Sequence, residues 1–115
     1  MRKQRHEANA AIDCPMEATL DLIGGKWKGV ILFRLSQGTQ RFGELRRLLC
    51  KITQRTLTQQ LRELESDGLV HRRVYAEVPP RVEYSLTERG RSLKPVLAVL
   101  MQWGKANVID TVRPS

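Results

Sequence analysis

Arg55, Thr56, Gln59 and Arg62 fall between two local breakpoints, Thr53 and Gly68, at a spacing that can bring them to one side of a helix. At 100° per residue, Leu57, Leu61 and Leu64 lie within about 60° of one another and define the buried side of a helix over about residues 54–67. The opposite side then carries Arg55, Thr56, Gln59, Arg62, Glu63 and Ser66. A guanidinium matches guanine O6 and N7, a glutamine amide matches adenine N6 and N7, and threonine meets a thymine methyl or a phosphate. Their place in the N-terminal half of the helix suits a helix that enters the major groove by its N-terminal residues. Backbone amides near Thr53 and Gln54 are suited to receive a phosphate at the helix start. An ordinary solvated helix face can carry the same residue types, so the neighbouring elements must decide.

Those elements have the period changes of a winged helix-turn-helix. Asp13-Cys14-Pro15 reads as a helix start, Leu20 and Ile23 supply its apolar side, and Gly24-Gly25 ends it. A second helix is predicted from about Lys26 to Ser36, with Trp27, Val30, Ile31 and Leu35 on its core face. A third runs from about Phe42 to Leu49, with Phe42, Leu45, Leu48 and Leu49 inward, and a tight turn then leads to Thr53 as the cap of the 54–67 helix. Two helices joined this closely form a helix-turn-helix. After Gly68 the pattern turns to strands, Leu69–Tyr75 and Arg81–Leu86, joined by the proline-rich stretch Ala76–Pro80. A hairpin of two strands needs something to pack on. A last helical region follows Thr87, where Pro95 predicts a kink or a break.

Around that frame, Arg46, Arg47 and Lys51 are candidates for phosphate contact, which strengthens binding without reading sequence. Arg72, Arg73 and Arg81 charge the wing, although Arg73 and Arg81 have Glu77 and Glu83 as partners within the hairpin, and Arg62 has Glu63 and Glu65. The whole chain has 115 residues and a formal net charge of +8, which points to an anionic partner, nucleic acid before an acidic membrane surface. Residues 1–13 read as a charged arm, 14–110 as one α+β domain, mainly α with a small β-hairpin wing, and 111–115 as a frayed tail. No apolar run is long enough to span a membrane and the N-terminus lacks a secretory pattern, so the expected location is cytoplasmic.

Taken together, the stretches Cys14-Pro15-Met16-Glu17, Ile23-Gly24-Gly25-Lys26-Trp27 and Arg41-Phe42-Gly43-Glu44-Leu45-Arg46-Arg47 resemble the HxlR-type winged-helix regulators. So do the stretch from Leu57 to Glu65, the stretch from Val78 to Thr87, and Trp103-Gly104. The resemblance covers about residues 14–104, and the order and spacing of the motifs make it specific. It implies a homodimer built from the terminal helices and bound to a two-fold symmetric operator, with half-sites roughly 34 Å or more apart. Leu20 on the first helix and Leu93, Leu97, Leu100 and Trp103 on the last are the interface candidates. The stripe they share with Val96 is longer than this domain needs for its own core. The resemblance also implies that Cys14, directly before Pro15, senses a small oxidant or electrophile. The positive end of a helix favours an anionic sulfur, which is the form such chemistry uses. Cys50, in the turn beside the 54–67 helix, reads as structural.

An enzyme is the first rival. Neither His6 nor His71 stands in a context that would pair it with Cys14 or Cys50, and metal-ligand spacing and a phosphate-binding glycine loop are both missing. No cofactor or metal is therefore expected. The second rival is a winged-helix interaction module without DNA binding. The expected function is a sequence-specific, double-stranded DNA-binding transcriptional repressor.

Overall fold

The computed structural model describes residues 14–109. Helix α1 (Pro15–Ile23) starts on Pro15, with Cys14 in extended conformation as its N-cap. Asp13, expected near that cap, lies outside the described residues. Helix α2 (Lys28–Ser36) begins two residues later than predicted. A two-residue strand β1 (Gln40–Arg41) leads into α3 (Phe42–Leu48), and α4 (Gln54–Ser66) follows one turn later. Strands β2 (Val70–Tyr75) and β3 (Arg81–Leu86) make the hairpin, and the short α5 (Glu88–Arg91) precedes α6 (Lys94–Gly104). A π-helical turn, Lys105–Ile109, closes the described chain.

Helix α4 has the local signals of a well-specified helix. The Thr53 hydroxyl accepts a hydrogen bond from the Thr56 amide at 3.0 Å, satisfying one of the free donors of the first turn. Leu57, Leu61 and Leu64 are buried as the angular reading requires. At the other end Gly68 takes φ +76°, and the chain turns directly into β2. The buried side of α4 meets Ile31, Leu32 and Leu35 of α2 and Leu45 of α3 in one apolar cluster, which β2 and β3 complete through Val70, Tyr84 and Leu86.

The sheet has one strand more than the hairpin. Its order is β1-β3-β2, all antiparallel, with Gln40 opposite Tyr84 and Val70 opposite Leu86. This third strand anchors the wing to the segment just before α3. A second anchor is Thr87, whose hydroxyl donates to the Gly68 carbonyl at 2.6 Å and accepts from the Gly90 amide at 3.0 Å, tying the start of α5 to the end of α4. The hairpin is therefore held along its β3 edge and at its base.

Of the two outcomes expected at Pro95, the break is the one observed: α5 ends at Arg91 and Pro95 lies in the first turn of α6, where its missing N–H leaves no bond unmade. Two other expectations change. Leu48 and Val30 are exposed rather than inward, and Leu32 takes the place in the core that Val30 was expected to fill. Cys50 is exposed in the turn after α3, so its thiol does not pack in the core.

Candidate nucleic-acid interface

The exposed side of α4 carries Gln54, Arg55, Gln59 and Arg62, with Thr56 half-buried. The Thr53 and Thr56 side chains are joined by an O–H···O bond of 2.9 Å in which Thr53 donates, so the Thr56 hydroxyl keeps its own proton for an outside acceptor. Arg46 and Arg47, on the last turn of α3, and Lys51, in the following turn, are exposed. Arg62 and Arg72 border one hollow of about 300 Å³ between α4 and the sheet, along with Thr58, Leu61, Glu65 and Tyr84. The helix and the wing thus bring arginines to a shared surface.

The wing arginines divide into two kinds. Arg72 and Arg73 are exposed. Arg81 instead bonds Glu77 at 3.0 Å, reaches Glu83 at 3.5 Å and lies 4.0 Å over the Tyr75 ring. Arg73 lies over the same ring at 4.9 Å. Of the alternatives left open for Arg81, internal pairing is the one observed: its guanidinium braces the hairpin and its charge is balanced within the wing. Arg73, directly opposite Glu83 in the strand register, keeps an exposed position.

A buried ion pair stands directly behind the face of α4. Lys28 on α2 has a side chain only 7% exposed, and its Nζ meets Glu63 Oε1 at 2.6 Å. The other oxygen of Glu63, Oε2, accepts from the Gln59 amide nitrogen at 2.9 Å. Glu63 was expected on the open side of the helix, and Lys28 was not singled out. A signal for it existed: residues 28, 31, 32 and 35 share one helical stripe, so a lysine heads an otherwise apolar core face. A buried ammonium requires a buried partner.

A second surface lies at the opposite ends of the chain. Leu20, Leu100 and Trp103 are exposed, Trp103 at 62%. Leu97, at 4%, belongs to the protomer's own core, and Leu93 packs against that core. In the protomer Leu97 serves the side of α6 that docks on α2 and Leu93, its N-cap, packs beside it, while Val96, Val99, Leu100, Met101 and Trp103 remain outward. An open apolar groove of about 300 Å³ runs beside them, walled by Val30, Phe33, Leu97, Leu100 and Met101. Cys14 is exposed at the start of α1, and no side-chain hydrogen bond caps that helix.

A family model described as HxlR-like helix-turn-helix matches residues 22–111. The chain belongs to this family. It is 62% identical over 92 residues to the HTH-type transcriptional regulator YdeP of Bacillus subtilis (strain 168), covering 80% of this chain and 72% of that one. Among solved structures it is similar to the redox regulator HypR in its reduced form, with a TM-score of 0.81 and 55% identity over 85% of this chain and 97% of the other. The reduced form of the transcriptional regulator YodB from B. subtilis superposes with a TM-score of 0.73 at 35% identity, covering 86% of this chain and 98% of that one. The relatives are transcriptional regulators, and the mainly α fold with its small antiparallel sheet is the winged helix expected from the sequence. No helix among the described residues is long and apolar enough to cross a membrane.

Proposed function

We propose that this protein is a cytoplasmic, sequence-specific repressor that binds double-stranded DNA as a homodimer. One observation carries the reading: α4 is buried along Leu57, Leu61 and Leu64, and turns Arg55, Gln59 and Arg62 outward beside the arginines of the wing. In the complex α4 enters the major groove. Arg55, Thr56, Gln59 and Arg62 meet base edges, while the amides at Thr53 and Gln54 and the side chains of Arg46, Arg47 and Lys51 hold phosphates. Arg72 and Arg73 follow the backbone or the adjacent minor groove. Dimerisation through Leu20, Leu100 and Trp103 covers the apolar surface that α6 leaves outward and sets two copies of α4 on a two-fold symmetric operator.

Cys14 is proposed as the switch, answering a small oxidant or electrophile. It is exposed and stands at the start of α1, and a similar protein, HypR, is called a redox regulator. Selection of bound sequences from random duplexes, followed by a reporter placed behind the selected operator, tests the function. A palindromic consensus and lowered reporter output are expected. Failure to retain any duplex on a low-salt DNA column would refute DNA binding and favour a protein-interaction module.

A further inference from the structure

Glu63 is held on both carboxylate oxygens by groups of different kinds. Oε1 meets the Lys28 ammonium at 2.6 Å, and Oε2 accepts from Gln59 at 2.9 Å. The lysine side chain is 7% exposed and that of Glu63 is 19% exposed, so the pair lies largely away from water. An ammonium so buried keeps its carboxylate, because breaking the pair would leave a charge desolvated without compensation. Glu63 is therefore fixed in one rotamer. A carboxylate can only accept, so the end of the Gln59 amide that faces it must be the NH2 group. The carbonyl Oε1 of Gln59 is then the end left for an outside partner.

We propose that Lys28 and Glu63 are positioning residues for sequence reading: they set which end of the Gln59 amide faces DNA. The proposal rests on the reading that α4 enters the major groove. With Oε1 outward, Gln59 favours a base that presents an exocyclic amine, adenine through N6 or cytosine through N4. It disfavours guanine and thymine there, whose O6 and O4 set one acceptor against another. Adenine can also offer N7 to the second amide N–H. Measuring all four base pairs at each operator position separates adenine from cytosine.

The same chain of donors and acceptors makes a directional prediction. In Glu63→Gln the new amide has one acceptor, and the donor-only Lys28 takes it. The new NH2 group then faces Gln59 and turns its amide over, presenting Nε2 outward. Base preference at the Gln59 position should shift toward guanine or thymine by about tenfold, the discrimination expected of a good amide–base contact. In the double variant Lys28→Met/Glu63→Gln, neither charge of the pair remains and nothing fixes which way round the amide lies. Preference at that position alone should flatten, while affinity for unrelated duplex and its salt dependence stay within about twofold of the wild type. Gln59→Ala identifies the position, and adding Glu63→Gln to it should change nothing further there.

The measurement is competition binding over an operator set varied one base pair at a time, with thermal unfolding of each variant as a fold control. A merely structural pair would weaken every sequence alike. Unchanged preference in Glu63→Gln and in the double variant, or uniform weakening of all sequences, overturns the proposal. A wild-type protein that binds no duplex, or binds all equally, overturns the DNA-reading role itself, and that shows before any variant is made.

Discussion

Replacing Arg46 with glutamine removes one positive charge from the last turn of α3 without disturbing the core, because the side chain is exposed and forms no hydrogen bond or ion pair among the described residues. If Arg46 neutralises one phosphate, the proposed dimer neutralises two fewer in the variant. Each phosphate contributes about 0.9 to the slope of log affinity against log salt, so the slope should become shallower by about 1.8. Relative to a 1 M reference, that is a loss of about 60-fold in affinity at 0.1 M, shrinking as salt rises. Fluorescence anisotropy of a labelled operator and of an unrelated duplex, each over a series of KCl concentrations, gives both slopes. The loss should be the same for the two duplexes, leaving their affinity ratio unchanged, because a phosphate contact carries no sequence information. A change of about 0.9 would mean that one protomer binds alone. An unchanged slope, or a loss confined to the operator, would refute the placement of Arg46 on the backbone.

Three other perturbations probe the fold, the assembly and the switch. A Cβ added at Gly90 would lie 2.1 Å from the Leu69 carbonyl oxygen and 3.3 Å from Leu86 Cβ, so Gly90→Ala must push α5 off the end of the sheet. A destabilisation of about 1–3 kcal/mol is expected in urea unfolding, and wild-type stability would contradict the packing described. Trp103→Ala should shift sedimentation from dimer to monomer at micromolar concentration with little change in the protomer's helix content, since Leu97 rather than Trp103 docks α6 on the core; a dimer of unchanged affinity would remove Trp103 from the interface. Cys14→Ser should make operator binding insensitive to peroxide or diamide. Mass spectrometry that finds wild-type Cys14 unmodified under oxidants that nonetheless release DNA would assign sensing elsewhere.

Helix α4 was legible because its cap, its leucine spacing and its terminating Gly68 are all local and agree. The hairpin was legible from the change of period that follows. Strand β1 was not: its two residues, Gln40 and Arg41, have no alternation of their own and become a strand only by pairing with Tyr84 and Glu83, far along the chain. Pro95 was ambiguous for another reason. The same proline kinks a helix that has already begun or opens one that starts there, and only the position of the start distinguishes the two. In α6 the apolar stripe is too wide for spacing to tell which part meets the protomer's own core. Leu97 and Leu100 are one turn apart, and packing on α2 buries the first while leaving the second outward.

The exposed face of α4 shows most sharply where local pattern stops. An angle plot divides that helix into a buried side and an open one, and it sends Glu63 to the open side with Gln59. The partner that decides its role, Lys28, belongs to a different helix, and its own oddity is a charge placed at the head of an apolar stripe. Arg81 offers the parallel case in the wing, where two glutamates and Tyr75 engage its guanidinium within the hairpin. In both places a charged residue is engaged by a neighbour on the same protein. A count of basic residues therefore overstates the electrostatic footprint and understates specificity. On the proposed reading Arg46, Lys51 and Arg72 would supply charge that any duplex can use, whereas Gln59 would discriminate only to the extent that its amide is held one way round.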